Sequence, residues 1–337
     1  MSNHSSFISQ PIFLVGADRS GTTVTRLMLS HHPQLALLSE FSYAVEICSD
    51  TGELPSLNQY YEHLESHRIF QYHQFKIDQN FSYTELVNSF LLQHQQREKK
   101  PLIGATVHLH FDRLTELWPD ARFIHLVRDG RDVARSWIGM GWGGTVWNGL
   151  NGWMEAEMAW ERLKPKITPE QWIEIHYEDL IASPSEALTK VCEFIGVQFE
   201  QSMFDYAETF PYDRPNPDLI QQWRHKLSTD EIQMIEAHAA DLLVARGYEL
   251  SGLPLIKLNA LTRKQIQLKD WWGRFQARRE CYGLGRLIAN STSKILNLKS
   301  WQKQIRQEMN QIEQSVIDTD SEQKMRRKQL QKVAQGA

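Results

Sequence analysis

An α/β fold, a parallel sheet flanked by helices and followed by a C-terminal helical extension, is what this 337-residue sequence predicts, and three observations predict it. An apolar run, Ile12-Phe13-Leu14-Val15, feeds a glycine-bounded turn and then a stretch with helical spacing from Thr22 to Leu29. Short apolar strands and helical segments alternate from there to Gly196, as in a sheet covered by helices on both faces. Beyond Leu253-Pro254 the charge changes sign. Residues 255–337 hold 17 Lys/Arg and 7 Asp/Glu, or +10, against −14 for residues 1–254. We therefore expect a globular domain over 1–254 and a basic helical extension over 255–337, suited to dimerisation, docking on the acidic body or contact with a membrane surface.

Taken in order, Leu35 to Leu38 reads as a short buried strand that delivers Glu40 to the carboxyl edge of the sheet, where open α/β folds bind ligands. Phe41 to Cys48 is expected to be helical. A polar insertion over 50–100 carries helical segments near Leu57–Phe70 and Tyr83–Glu98 and suits the acceptor side of a cleft. Leu102–Ala105, Arg122–Val127 and Trp172–Tyr177 are the next strands, with a helix expected at Phe111–Leu117. Gly139 to Gly149 is too rich in glycine for a helix; it is either a mobile lid with tryptophan platforms or a loop over a tryptophan core. Ser183-Pro184 opens a helix that stops at Gly196. A helix is expected at Leu219–Lys226, and Ser228 with Glu231 has capping-box spacing for another. In the extension, positions from Ile288 to Thr319 fall on alternating three- and four-residue spacings, a coiled-coil or helix-docking seam.

The turn Gly16-Ala17-Asp18-Arg19-Ser20-Gly21-Thr22-Thr23 has the spacing of a P-loop, so the sheet is expected to be P-loop NTPase-like, with one departure: Thr22 stands where the lysine belongs. Backbone N–H groups and a helix N-terminus directed at one point bind a phosphate or another oxyanion. Without the lysine, triphosphate chemistry loses much of its support, and Arg19 supplies positive charge from another direction. A second motif, Arg128-Asp129-Gly130-Arg131-Asp132 through Ser136, places an arginine at a strand end and a hydroxyl about two turns into the following helix. Such a pair can clamp a second phosphate, so the two motifs together suggest a ligand phosphorylated at both ends. A rival reading makes Asp129 a Mg²⁺-binding residue of a P-loop nucleotide or small-molecule kinase.

Gly-x-x-Arg-Ser-Gly-Thr-Thr followed by a helix ending at His32-Pro33 resembles the 5′-phosphosulfate loop of the sulfotransferases, most of all the branch with the tyrosylprotein and many bacterial enzymes. The resemblance implies 3′-phosphoadenosine 5′-phosphosulfate (PAPS) as co-substrate, with no metal. It implies Arg19, Ser20, Gly21, Thr22 and Thr23 at the 5′ end of the nucleotide, Arg128 and Ser136 at the 3′-phosphate, and Tyr177 at the adenine. It also implies that Glu40, 21 residues beyond Arg19, is the base, while Arg19 stabilises the bridging and sulfuryl oxygens. His108 and His110 are alternative bases, placed on one face if the segment is extended. One departure stands out: the family's lysine before the second motif is replaced here by Ala105-Thr106-Val107. That departure motivates a third reading, a non-catalytic nucleotide-binding module.

Composition excludes several classes. No run of eighteen apolar residues and no basic-apolar leader is present, which predicts a cytoplasmic enzyme, either free or associated with a membrane surface. Three scattered cysteines, Cys48, Cys192 and Cys281, predict reduced thiols. No HExxH or clustered Cys/His spacing predicts a metal, and no recognition motif predicts nucleic acid. The acceptor, whether polysaccharide, lipid, peptide or small alcohol, has no signature in the sequence.

Overall fold

In the computed structural model, residues 7–335 are described, with side chains to residue 328. Five strands, β1 (Ile12–Val15), β2 (Leu35–Leu38), β3 (Leu102–Val107), β4 (Arg122–Val127) and β5 (Trp172–His176), form one sheet in the order β2-β3-β1-β4-β5. Every pairing is parallel; Val15 at the end of β1 lies opposite Val107 of β3 and His125 of β4. β1 and β2 are buried throughout, and continuous apolar runs are what a sheet covered on both faces requires.

The covering helices follow in chain order. α1 (Thr22–Ser30) leads to β2, and the insertion contributes α2 (Leu57–Ser66), α3 (Arg68–His73) and α4 (Tyr83–Glu98). After β4 come α5 (Gly130–Gly139), α6 (Val146–Gly149) and α7 (Asn151–Leu163); after β5 come α8 (Tyr177–Ala182), α9 (Pro184–Ile195), α10 (Tyr206–Thr209), α11 (Trp223–Lys226) and α12 (Thr229–Ala245). Capping residues set several of these boundaries. Ser56, Ser82 and Ser228 each close a capping box, and Gly196 ends α9 in the left-handed conformation. One core, with Phe13, Phe41, Trp118 and Trp153, fills one face of the sheet; another, with Leu14, Leu27, Ile124 and Leu188, fills the other.

Three short elements differ from the sequence reading. Phe41–Cys48 has one 3₁₀ turn, Ser42–Ala44, because its carbonyls and N–H groups close i→i+3 bonds around buried aromatics. Phe111–Glu116 is likewise 3₁₀, and the helix expected over Leu219–Lys226 is split by Gln221, whose φ is 51°.

The extension is α13 (Ala260–Tyr282), α14 (Leu284–Ile295) and α15 (Lys299–Gln335). The continuous seam expected from Ile288 to Thr319 does not form, because the chain turns between α14 and α15. Ile288, Ile295 and Leu298 are exposed, while Ile305 is buried. α15 lies along the α2–α3 junction, where Asn310 donates to the Ser66 carbonyl and Arg68 pairs with Glu313. Farther on, the Lys328 Nζ donates to the Ala207 and Phe210 carbonyls and pairs with Asp213 at 3.1 Å. The glycine and tryptophan loop is not free: Gly144 N–H donates to the Asp270 carboxylate of α13 at 2.8 Å, and Trp147 stacks on His238 of α12 at 3.8 Å. Gly141 and Gly144 serve close approach to α13, a packing role that argues against the mobile-lid alternative, and Val146–Gly149 forms the short α6 where the glycine content had argued against a helix.

Candidate active site

The carboxyl edge of the sheet assembles the site. Between β1 and α1 the backbone has positive φ at Gly16 (150°), Arg19 (71°) and Gly21 (94°), the alternation that makes a concave nest of N–H groups. α1 begins there with Gly21 as its cap and no acidic residue in its first turn, so the positive end of its dipole is not neutralised locally. Gly21 is also required sterically, since a Cβ would lie 2.4 Å from the Tyr177 ring. Thr22 is buried and Thr23 half-buried at the mouth of the helix. Ser20 is fully buried, and its Oγ has no hydrogen-bond partner among the described residues. A buried, unspent hydroxyl in a nest of N–H groups fits an anion.

The second motif meets the first directly. Arg19 Nε donates to Ser136 Oγ at 3.0 Å across 117 residues, and Arg128 Nη1 donates to the Arg19 carbonyl at 3.0 Å. The Arg128 guanidinium lies 4.2 Å over the Tyr177 ring, and its Nε is another buried donor without a partner among the described residues. Its Nη2 donates to the Leu219 carbonyl, so the segment before α11 closes over this arginine. Tyr177, the first residue of α8, is buried with Arg128 on its face and Gly21 at its edge. Burial raises its pKa. Trp223 is buried too, beneath the Arg131 guanidinium at 3.7 Å.

Asp129 is engaged elsewhere. Its two oxygens accept from Arg131 Nε at 2.9 Å and Nη2 at 2.8 Å, inside an ion network that also takes in Glu236. A carboxylate held this way is unsuited to the Mg²⁺ role of the kinase reading.

Across the edge, Glu40 follows β2 in the left-handed region (φ 42°) with its side chain exposed. Arg26, one turn into α1, has its pKa lowered by burial, against the opposing fields of Tyr212, Glu40 and Tyr72. It therefore belongs to the same side of the site, and only its i+4 spacing from Thr22 could have signalled it. His108 is buried, donates Nδ1–H to the Gly16 carbonyl at 2.9 Å, and has Nε2 3.6 Å from Asp18. The expectation that His108 and His110 share a face fails. β3 ends at Val107, and His110 turns left-handed (φ 54°) to start the 3₁₀ segment. Burial depresses the His110 pKa.

Comparison with known proteins identifies the family of the chain. The model of the sulfotransferase family matches residues 11–201, and the chain belongs to that family. The protein-tyrosine sulfotransferase of Drosophila melanogaster is 25% identical over 225 residues, 61% of this chain and 41% of that protein. A putative protein-tyrosine sulfotransferase of Caenorhabditis briggsae is 26% identical over 212 residues, 59% of this chain and 70% of that protein. The chain thus spans less than half the length of the Drosophila relative. Among solved structures, the sulfotransferase domain from the curacin biosynthetic pathway gives a TM-score of 0.49 at 19% identity, covering 73% of this chain and 100% of that one. The corresponding domain of the Synechococcus PCC 7002 olefin synthase gives 0.49 at 18%, covering 75% and 99%.

Proposed function

We propose that the protein transfers a sulfuryl group from PAPS to an acceptor hydroxyl or amine. The observation that carries this reading is the interlock of Arg19, Ser136 and Arg128, which brings two anion-binding motifs to one edge of the sheet. Ser20, Gly21, Thr22, Thr23 and Arg19 would hold the 5′ end of the nucleotide; Arg128 and Ser136 would hold the 3′-phosphate, with Tyr177 at the adenine end and under the Arg128 guanidinium. Bound PAPS supplies the sulfuryl group and departs as 3′,5′-ADP. Glu40, exposed on the acceptor side, takes the acceptor proton as the acceptor atom bonds to sulfur and the bond from sulfur to the phosphate oxygen breaks. Arg19 and the loop N–H groups stabilise the charge that develops on that oxygen. His108, buried and committed to the Gly16 carbonyl, braces the loop, with Glu40 preferred as the base.

The names of the relatives make a protein tyrosine the first acceptor to screen, ahead of polysaccharide, lipid and small alcohols. Unpaired Cys48, Cys192 and Cys281 suit a reducing, cytoplasmic setting. Among the described residues no helix is long and apolar enough to cross a membrane. The extension we read as a strap over the body, supported by its contacts at Ser66, Arg68 and Asp213. The test is calorimetric titration of the full chain with 3′,5′-ADP, ADP and ATP, followed by assay of 3′,5′-ADP release from PAPS with tyrosyl peptides. Preference for 3′,5′-ADP and acceptor-dependent release are expected. Preference for ATP with Mg²⁺ would replace this reading with a kinase, and tight 3′,5′-ADP binding without release for any acceptor would leave a binding module.

A further inference from the structure

Away from the nucleotide edge, three side chains that the sequence scatters converge on one point: Glu46 from the turn after β2, His63 from α2, and His67 at the α2–α3 junction. Glu46 Oε2 lies 3.3 Å from His63 Nε2 and 3.1 Å from His67 Nε2, and one ligand atom from each residue falls within 4.8 Å of the others. Those are ion-pair distances, yet Glu46 Oε2 and His63 Nε2 are buried atoms with no hydrogen-bond partner among the described residues. The carboxylate oxygen and the two imidazole nitrogens lie close enough together to share one ion. A tetrahedral ion with bonds of about 2.0–2.1 Å separates its ligands by about 3.3 Å, close to the two spacings found.

We propose that Glu46, His63 and His67 bind a divalent transition metal of the zinc class. Two imidazoles and one carboxylate are a donor set such ions favour over Mg²⁺ or Ca²⁺. All three residues are half-buried, so a fourth position is left for water or another ligand. Bound there, the ion pins the α2–α3 junction to the segment that leaves β2 six residues after Glu40. α15 docks on the same junction through Asn310 and Glu313. The site is separate from the proposed transfer chemistry and acts on the shape of the insertion. Coordination through Nε2 puts the His67 ring proton on Nδ1, so the long 3.4 Å contact from the Phe70 amide to that nitrogen is given up.

That contact also supplies the control. Full-length protein stripped with EDTA and dialysed is titrated with Zn²⁺ by calorimetry and with Co²⁺ by visible absorption. One equivalent with a tetrahedral or five-coordinate Co²⁺ spectrum is expected, together with a rise in melting temperature. His63→Ala and Glu46→Gln should each weaken binding at least tenfold. His67→Asn keeps an N-cap acceptor for Phe70, so it should do the same while leaving the melting temperature in EDTA near that of the parent. Cys281→Ser should change nothing. Absence of stoichiometric binding, or binding indifferent to His63→Ala and His67→Asn, would overturn the proposal and leave a pair of imidazole–carboxylate contacts.

Discussion

The two halves of the carboxyl edge, which we propose for donor and acceptor, are built in opposite ways. On the side we propose for the donor, two contiguous motifs supply nearly every candidate group, and much of it is backbone: a nest at Gly16 to Gly21, the open end of α1, and a strand-end arginine that donates to the Arg19 carbonyl. On the side we propose for the acceptor, the groups come from separate segments: Glu40 after β2 and Arg26 on α1, which also feels Tyr72 of α3 and Tyr212 beyond α10. The lesson is that a ligand common to many proteins can be held by a short local backbone pattern, whereas a particular acceptor is met by side chains that only the tertiary fold collects.

The largest expected effect separates the halves outright. Glu40→Ala should lower turnover by about 10²–10⁴-fold, the usual worth of a general base, with 3′,5′-ADP affinity nearly unchanged. Retained turnover would move the base to a histidine. Gly21→Ala breaks the donor side in the other direction. A methyl group forced onto the Tyr177 ring at positive φ should cost about 1–3 kcal/mol by urea denaturation and weaken 3′,5′-ADP binding, with the pH dependence of any residual turnover unaltered. A smaller effect is expected from Lys328→Ala. Loss of its contacts to the Ala207 and Phe210 carbonyls should change acceptor KM severalfold and leave donor KM alone. An equal change in both would show that the strap is not confined to the acceptor half.

The smallest effect concerns a control region that belongs to neither half. His125 is fully buried in β4 between Glu157 and Glu174, stacked on Trp160. Burial alone would depress its pKa, but the two carboxylates outweigh that and hold it above the ordinary value; those of Glu157 and Glu174 are lowered. The raised histidine contributes stability that is complete below about pH 6.5 and is lost as pH rises through its folded value. The lowered carboxylates contribute above about pH 4.3, a gain lost as pH falls through theirs. Melting temperature should therefore decline on the alkaline side in the parent and be lower but flatter in His125→Gln. The 3′,5′-ADP affinity should not follow it.

The same contrast explains what the sequence could tell. The strands, α1, α9, α12 and the Arg19, Arg128 and Ser136 convergence follow from local patterns, because apolar runs, caps and glycine turns act over a few residues. The three- and four-residue spacing of the tail was real, but a turn at Leu296–Leu298 divides it, so no single seam forms. The reading of His108 and His110 as one extended face failed at a single left-handed residue. His63 and His67 were visible four residues apart, yet their carboxylate came from a different segment, 17 residues before His63, and nothing in a linear motif joins them.

The most direct test of two anion cradles on one ligand is calorimetric comparison of 3′,5′-ADP with 5′-AMP, in the parent chain and in Arg128→Ala. The parent should favour the doubly phosphorylated nucleotide. Arg128→Ala should lose roughly 10- to 100-fold of its 3′,5′-ADP affinity, the worth of a charged hydrogen-bonding group, while 5′-AMP affinity changes much less. A preference for 3′,5′-ADP that survives intact in Arg128→Ala would contradict the account.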